Sequence, residues 1–264
     1  MSAAPRAGST TAAWSGLRPV TLAQLDIRAP LLRRQDRKYL LPACELPSLA
    51  RALGDSHEVL QIDGERTFRY DSAYVDSADL VLYRDHVQGR RLRWKARTRR
   101  YGGGPLCFQE IKLKEARGAT VKLRQRCAVD EHGWVGRGFT AFVDDALRTH
   151  YGEGLQLELR PSLSVRYSRS TLVSVDGRER LTVDSDLEYL DRDGRLTGGL
   201  RPDVVLVEVK TPHGHGPTDR VLARQGRRSV SVSKYGAGVA LTHPEIGQSR
   251  LRAVLRTGFR RVTD

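Results

Sequence analysis

Residues 91–97 read Arg-Leu-Arg-Trp-Lys-Ala-Arg, with a positive charge at every second position. Successive side chains of a β-strand point to opposite faces, so this alternation predicts a strand with one cationic face and one apolar face. Neighbouring cations repel one another unless water or an anion compensates them, and arginines at this pitch suit phosphate oxygens. The stretch therefore predicts either a solvated outer face or an anion-binding site.

The same alternation recurs on other segments of the chain. Residues 110–114, 122–126 and 207–210 each place charged side chains at positions i and i+2. One face of an antiparallel sheet is commonly solvated, and that ordinary explanation suits any one of these segments alone. A solvated face usually mixes Ser, Thr and Gln with both signs of charge, whereas these positions hold mostly long cations. A sheet closed into a barrel would instead enclose them in a wet, anion-binding tunnel.

The overall composition narrows the class of partner. Of 264 residues, 45 are Lys or Arg and 31 are Asp or Glu, which gives a formal net charge of +14. This excess predicts an anionic partner: nucleic acid, a nucleotide, polyphosphate or an acidic membrane surface. Cys44, Cys107 and Cys127 are odd in number and widely spaced, which argues against a disulfide framework or a zinc site and favours a cytoplasmic location. No apolar run approaches the roughly 20 residues that span a bilayer.

Turn signals divide the chain into short segments, and most of these are strand-like. The predicted strands cover residues 57–63, 67–76, 90–99, 106–114, 119–128, 155–174, 178–188 and 203–211, and the predicted helices cover 47–53, 139–150, 217–227 and 245–257. Spacings this short favour antiparallel pairing. We therefore expect one α+β domain over residues 21–258, preceded by a disordered segment at 1–20 and followed by a basic tail at 259–264.

A series of short motifs gives the chain a resemblance to a known family. In order they are Asp36-Arg37-Lys38-Tyr39, Tyr74-Val75-Asp76, Arg91-x-Arg93-Trp94, Glu110-x-Lys112, Lys122-x-Arg124-x-Arg126, Tyr167-Ser168-Arg169, Arg180-x-Thr182-x-Asp184, Glu208-x-Lys210 and Ser233-Lys234-Tyr235. Their order resembles the VTC domain, the polyphosphate polymerase branch of the CYTH-like triphosphate tunnel metalloenzymes. The resemblance implies an eight-stranded antiparallel β-barrel with helices packed around it. It also implies transfer of the γ-phosphate of ATP to inorganic polyphosphate, with Mn²⁺ or Mg²⁺.

The resemblance also implies a set of site residues. The catalytic cations would be Lys38, Arg91, Arg93, Lys112, Arg169, Arg180 and Lys234, and the further substrate contacts would be Lys122, Arg124, Arg126, Tyr167, Lys210 and Ser233. Glu208 would hold the metal ion, with Glu110 as a second carboxylate. Such a set suits phosphoryl transfer, which needs phosphates held in line and their charge neutralised. Within the opening stretch, Arg91 and Arg93 would point at the triphosphate, while Lys95, Arg97 and Arg99 would run past the tunnel mouth.

Other interpretations of these residues remain open. Glu208 and Lys210 could form an ordinary surface pair, and Asp184 could be structural instead of a second metal contact. The hydrolytic members of the superfamily begin with Glu-x-Glu-x-Lys, where this chain has Arg34, Asp36 and Lys38. An arginine in place of the first glutamate lowers the metal-binding capacity of the site, and this difference agrees with the polymerase branch.

Two alternative functions also remain. One is a metal-dependent triphosphatase of the same fold, which releases phosphate. The other is a non-catalytic module that binds polyphosphate or nucleic acid. Few aromatic residues interleave with the basic strands, which argues against stacking of bases and hence against specific nucleic-acid binding. The oligomeric state is not indicated by the sequence.

Overall fold

The computed structural model describes residues 12–29, 34–102, 104–115, 120–246 and 251–262. The strands are β1 (Arg18–Val20), β2 (Gln35–Pro42), β3 (His57–Leu60), β4 (Phe68–Asp76), β5 (Arg93–Tyr101), β6 (Cys107–Lys114), β7 (Thr120–Cys127), β8 (Arg160–Ser174), β9 (Arg180–Leu190), β10 (Leu196–Leu200), β11 (Val204–Thr211) and β12 (Phe259–Arg261). The helices are α1 (Leu22–Arg28), α2 (Leu46–Leu53), α3 (Val81–Gln88), α4 (Arg137–Tyr151), α5 (Pro217–Arg224), α6 (Lys234–Thr242) and α7 (Arg252–Gly258).

All of these strands belong to one 12-stranded sheet. Its main path, β2-β11-β9-β8-β4-β5-β6-β7, is antiparallel throughout. Strands β8 and β9 are longer than the other strands on this path, so parts of their edges are left for other strands. Strand β3 pairs with β8, and β10 pairs with β9 and β12. Strand β1 runs parallel to β3.

The predicted α+β fold with an antiparallel sheet is confirmed, but the expectation of a closed, eight-stranded barrel is wrong. Within the described ranges, no backbone pairing joins β2 to β7, and four strands lie outside the main path. The path nevertheless curls strongly. Lys112 Nζ on β6 lies 4.0 Å from Asp36 Oδ2 on β2, although five strands separate β6 from β2 along the path. We call the concave side the inner face; it is the side that carries Lys38, Glu208 and Glu110.

Apolar packing on both sides of the sheet positions the inner face. Val207 on the outer side of β11 is buried in a cluster with Leu49 of α2, and Ile111 on the outer side of β6 is buried with Phe139 of α4. Helix α6 instead covers one end of the inner face, where its Tyr235 stacks on a strand tyrosine at 5.0 Å between ring centroids. The inner face is therefore apolar beneath α6 and charged beyond it.

The predicted limits at residues 20 and 259 do not coincide with the ordered structure. Trp14 is fully buried and β1 pairs with β3, so packed structure begins before residue 21. At the other end, β12 pairs with β10. Three-residue strands such as β1 and β12 carry too little periodicity to be detected in a sequence. Residues 1–11 and 263–264 lie outside the described residues.

The predicted helices differ in how well they are reproduced. Those at 47–53, 139–150 and 217–227 are confirmed with shifted ends. The one predicted at 245–257 corresponds to α7, and its positions 247–250 lie outside the described ranges. In the part of the chain that the structure covers, no helix combines the length and apolar character needed to cross a bilayer.

Candidate functional site

Charged side chains of the inner face gather in two clusters. We call them the arginine cluster and the lysine cluster. The arginine cluster contains Arg97, Arg99, Lys122, Arg169 and Lys234 with the carboxylates Glu110 and Asp184. The lysine cluster contains Lys38, Lys95, Lys112 and Lys210 with the carboxylates Asp36 and Glu208. Basic groups outnumber acidic groups in both, so the inner face as a whole is cationic.

Glu110 organises one half of the arginine cluster. Its side chain is only 2% exposed, and its Oε2 lies 2.6 Å from Arg97 Nη2 and 3.8 Å from Arg99 Nε. Lys122 Nζ lies 3.0 Å from the other carboxylate oxygen. Burial would raise the pKa of Glu110, but Arg97, Arg99 and Lys122 outweigh it and hold the pKa well below its usual range. Glu110 is thus a buried counter-ion that fixes neighbouring cations.

Asp184 organises the other half of the arginine cluster. The carboxylate is fully buried and accepts two hydrogen bonds from Arg169, at 2.6 and 2.9 Å. Lys234 Nζ approaches it to 2.5 Å. Burial would raise the pKa of Asp184, but Arg169 and Lys234 lower it to about 2. The sequence left Asp184 open as a metal contact, and the structure instead places it in a structural ion pair.

Tyr167 lies between these cations with an unsatisfied hydroxyl. Its ring stacks on Tyr70 at 5.2 Å, with Arg169 5.2 Å and Lys234 4.8 Å from the ring centroid. The hydroxyl oxygen is buried and has no hydrogen-bond partner among the described residues. Burial would raise the pKa of Tyr167, but Arg99, Arg169 and Lys234 lower it. A phosphate oxygen would satisfy this hydroxyl and neutralise the surrounding charge.

Charges of alternating sign form the lysine cluster across β2 and β11. Backbone pairing places Lys38 opposite Glu208 and Asp36 opposite Lys210. Lys210 Nζ lies 3.3 Å from Glu208 and Lys38 Nζ lies 4.0 Å from it. Burial would raise the pKa of Glu208, yet Lys210, Lys38 and further cations hold it well below its usual range. These ion pairs are longer than the close pairs of the arginine cluster, which lie between 2.5 and 3.0 Å.

Lys95 is the exceptional member of the lysine cluster. In the part of the chain that the structure covers, its amine makes neither a hydrogen bond nor an ion pair. Burial lowers the pKa of Lys95 well below its ordinary value, and the positive charges of Lys112, Lys38 and Arg97 lower it further. Glu208 offsets only part of this effect, and a bound anion would supply the counter-charge that is still missing.

His86 of α3 borders the same cluster and was missed by the sequence reasoning. Burial, together with the charges of Lys95 and Arg93, lowers the pKa of His86 to about 3, so its imidazole is neutral at ordinary pH. Its Nε2 lies 3.0 Å from Ser233 Oγ, which also accepts a hydrogen bond from the Gly236 amide at the start of α6. Ser233 therefore caps the helix that carries Lys234, instead of standing free as a phosphate donor.

The structure reverses the predicted roles within residues 91–97. Arg91 is exposed and precedes β5, and Arg93 at the first position of β5 donates to the Arg90 carbonyl. Arg97 and Arg99 lie deep in the arginine cluster, and Lys95 lies in the lysine cluster. The cause is the extent of β5, which begins at residue 93 and continues to 101, so its centre is displaced toward the later cations.

The remaining predicted residues divide between the inner face and its rim. The clusters include Lys38, Glu110, Lys112, Lys122, Tyr167, Arg169, Glu208, Lys210 and Lys234. Arg180 instead donates to the Leu25 carbonyl and to Asp26 of α1. Arg124 and Arg126 are exposed on β7, where Arg124 lies over the Phe108 ring at 5.2 Å. These three arginines are rim residues.

Aromatic rings are more closely associated with the basic strands than the sequence indicated. Arg99 lies 5.5 Å from the ring of Tyr70 and 5.9 Å from that of Tyr101. Arg169 also lies over Tyr70, at 5.1 Å. The prediction of few interleaved aromatics failed because Tyr70 and Tyr167 come from neighbouring strands, distant in sequence from Arg99; Tyr101 lies at the end of β5 itself. Their contacts with arginine orient the guanidinium groups within the cluster.

The acidic residues bear on the predicted metal ion. Within the described residues there is no group of three or more His, Cys, Asp or Glu side chains that could hold one. Glu110 and Asp184 are engaged by close cations, which leaves Glu208 as the more available carboxylate. A divalent ion commonly binds through one or two carboxylates plus substrate phosphates. The site therefore fits an ion that arrives with phosphates, and does not fit a metal cage made by the protein alone.

Comparison with known proteins identifies one matching family. The family model described as the VTC domain matches residues 33–243, which is most of the chain. No curated protein gives a significant match.

Several solved structures resemble the chain at low sequence identity. A protein of Pyrococcus horikoshii OT3 is 13% identical, with 80% of this chain and 99% of that chain covered and a TM-score of 0.46. A candidate adenylate cyclase of Bacillus halodurans is 16% identical, with 76% and 94% covered and a TM-score of 0.47. A candidate adenylyl cyclase of Hippeastrum, described as having a dominant triphosphatase activity, is 17% identical, with 78% and 95% covered and a TM-score of 0.42. Similarity at this level carries no argument about activity.

Proposed function

Because this chain belongs to the VTC domain family, we propose that it is an ATP-dependent polyphosphate polymerase. The triphosphate of ATP binds on the inner face, and the γ-phosphoryl group is transferred to the end of an inorganic polyphosphate chain. The observation that carries this proposal is Lys95, a half-buried basic residue without a hydrogen-bond or ion-pair partner among the described residues and with other cations around it. A polyanion would remove that electrostatic penalty.

The reaction needs no protein nucleophile. A terminal oxygen of the polyphosphate attacks the γ-phosphorus, the bond from that phosphorus to the β,γ-bridging oxygen breaks, and ADP leaves with the electron pair. Charge is spread over the equatorial oxygens during this transfer, so positioning and electrostatic stabilisation supply most of the catalysis. The inner face offers both, because its basic groups converge from several strands onto one concave face.

The two clusters suit different tasks in this proposal. Arg97, Arg99 and Arg169 are held in place by carboxylates and rings, so they would grip phosphate oxygens with little loss of side-chain entropy. The hydroxyl of Tyr167 would donate to one of those oxygens. Lys38, Lys95, Lys112 and Lys210 would act as mobile point charges that follow the phosphates as the chain grows.

A divalent ion such as Mn²⁺ or Mg²⁺ would contact the protein through Glu208. When bound, the ion would neutralise charge on adjacent phosphates. Lys210 and Lys38, now 3.3 and 4.0 Å from Glu208, would turn to phosphate oxygens and release this carboxylate. We assign Glu110 to the arginine cluster and not to the metal, because three cations already engage it.

The proposal is tested by the products formed from ATP. Purified protein is incubated with ATP and Mn²⁺ or Mg²⁺, and the products are separated by chain length. Polyphosphate that lengthens with time, together with equimolar ADP, is the expected result. Orthophosphate alone would identify a triphosphatase, and ATP binding without turnover would identify a binding module; either result would overturn the proposal.

Matched variants connect the reaction to the inner face. Lys95→Met and Arg97→Met should suppress synthesis by about tenfold or more, since each removes a charge-assisted contact of about 1.5–3 kcal/mol. Arg91→Met is the control, because Arg91 is exposed outside β5. Equal loss of activity in all three variants would contradict the assignment of the site.

A further inference from the structure

Strands β6 and β7 place two cysteines directly opposite each other. Their backbone register pairs Cys107 with Cys127, although nineteen residues lie between them in sequence. Directly opposed residues of an antiparallel pair have Cα atoms about 4.5–5.5 Å apart, which lies within the range that a disulfide spans. After burial, the neighbouring Cys107 is the main influence that raises the pKa of the Cys127 thiol. The sequence spacing argued against a disulfide, but it could not show this register.

The two thiols differ in exposure. Cys107 is fully buried, whereas Cys127 is half-buried at the end of β7. An oxidant can therefore reach Cys127 first, and Cys107 is then already in contact to resolve the product. Both are free thiols in the structure described here, as is the exposed Cys44.

We propose that Cys107 and Cys127 are a site of reversible oxidation, where a cross-strand disulfide locks β7 to β6. The Cys127 thiolate attacks a small disulfide such as oxidised glutathione, one glutathione thiolate leaves, and a mixed disulfide forms. The Cys107 thiolate then attacks the Cys127 sulfur and displaces the second glutathione. Two thiol protons and two electrons are lost by the protein, and one glutathione disulfide is reduced to two thiols.

The position of β7 gives this bond a structural consequence. Strand β7 ends the main path, and among the described residues it pairs only with β6. It carries Lys122, whose amine meets Glu110 on β6, and Glu110 in turn holds Arg97. A covalent link between the strands would suppress fraying of this edge and keep Lys122 in register with the arginine cluster.

The environment of the thiols sets the expected rate. Burial and the neighbouring Cys107 raise the pKa of Cys127 to about 12. Because the thiolate is the reacting form, oxidation should be slow at neutral pH and should accelerate by about tenfold per pH unit in mildly alkaline solution.

The test uses the full chain carrying Cys44→Ser, so that only the proposed pair remains. The folded protein is treated with oxidised glutathione at mildly alkaline pH, then alkylated, digested and analysed by mass spectrometry. The expected product is a peptide pair linked through Cys107 and Cys127, with an intact mass lower by two hydrogen atoms and restored by dithiothreitol. Failure to form this link while the protein remains folded, as judged by circular dichroism, would overturn the proposal.

Two further measurements separate a cross-strand lock from incidental oxidation. Adding Cys107→Ser to the Cys44→Ser chain should stop the reaction at a glutathione adduct on Cys127, because the resolving thiol is gone. Hydrogen exchange of the β7 amides should slow upon oxidation of the parent Cys44→Ser protein. Unchanged exchange would show that the bond does not restrain the strand and would contradict the lock.

Discussion

The arginine cluster and the lysine cluster share one inner face but are held in different ways. In the arginine cluster, Arg169 makes two hydrogen bonds of 2.6 and 2.9 Å to Asp184, and Arg97 approaches Glu110 to 2.6 Å. In the lysine cluster, the corresponding distances are 3.3 to 4.0 Å, and Lys95 has no partner among the described residues. The arginine cluster is held by close ion pairs, while the lysine cluster is paired over longer distances and includes a lysine without a partner among the described residues.

This difference follows from the chemistry of the two side chains. A guanidinium presents a rigid fork and keeps its proton, so it can be fixed in a buried site by a carboxylate and an aromatic ring. An ammonium is a strongly hydrated point charge on a flexible stem, and burial lowers its pKa. We therefore expect the arginine cluster to contribute to stability and binding together, and the lysine cluster to favour binding at the expense of stability.

The largest difference between the clusters should appear when each loses a carboxylate. Asp184→Asn leaves Arg169 and Lys234 buried without their counter-ion, so the free energy of unfolding should fall by about 3–5 kcal/mol. Glu208→Gln affects lysines at longer distances, so the loss should be smaller. Urea unfolding of both variants provides the measurement. Tripolyphosphate should restore more stability to Asp184→Asn than it adds to the wild type. Equal destabilisation of the two variants would contradict the proposed difference between the clusters.

Replacing one cation in each cluster should change stability in opposite directions. Lys95→Met removes an uncompensated basic group and should stabilise the free protein by about 1 kcal/mol, while weakening tripolyphosphate binding about tenfold. Arg97→Met should weaken binding similarly but lower stability, because Glu110 loses its closest partner. Thermal unfolding and calorimetric titration measure the two effects. A lower stability of the free Lys95→Met protein would contradict the proposed difference between the two clusters.

Binding should weaken with rising pH through lysine deprotonation. Burial lowers the pKa of Lys210 and that of Lys122 to about 8. Above that pH these lysines are neutral in the free protein, and a bound polyanion favours their protonated form. Binding must then take up protons, so affinity for tripolyphosphate should fall by up to about tenfold per pH unit for each titrating lysine. Calorimetry in buffers of different ionisation enthalpy should detect proton uptake on binding. Lys210→Arg is the control, and an unchanged alkaline slope in that variant would exclude Lys210 as its source.

The same pKa shifts predict how stability changes with pH in the free protein. Between pH 8 and about 10.4, the ordinary value for lysine, the unfolded chain holds more protons at these two positions than the folded chain does. The contribution of these lysines to the free energy of unfolding should therefore increase with pH across that window. Comparing urea unfolding of the wild type and Lys210→Arg isolates this contribution, and a difference of the opposite sign would contradict the burial of the amine.

The smallest effects should come from the rim. Arg124 and Arg126 are exposed, so their replacement by alanine should slow association of polyphosphate about twofold at low ionic strength and have little effect at high salt. Arg91→Ala should leave the affinity unchanged at both ionic strengths. Stopped-flow measurements at two salt concentrations test this. A loss of affinity in Arg91→Ala that persists at high salt would show that the inner face extends beyond β5.

Much of the fold and part of the site could be predicted from the sequence. The strict alternation of charge predicted which residues share a strand face. This prediction is correct for Arg97, Lys112 and Lys122, all of which lie on the inner face. The ends of each strand were harder to predict from the sequence. Strand β5 runs from Arg93 to Tyr101, and the depth of its cations in the inner face depends on where the strand is centred. The helix that begins at Lys234 was also missed, because small residues and few charges give it little amphipathic pattern.

By itself, the sequence determined the sign and spacing of the charges, the antiparallel character of the sheet and the family to which the chain belongs. These are local properties, because strand periodicity and turn residues act over a few positions. Only the tertiary structure decided which carboxylate meets which cation, that Lys95 meets no carboxylate among the described residues, and that Cys107 faces Cys127. Such pairings depend on strand register and on the curl of the sheet, where a shift of one residue would turn every side chain to the opposite face.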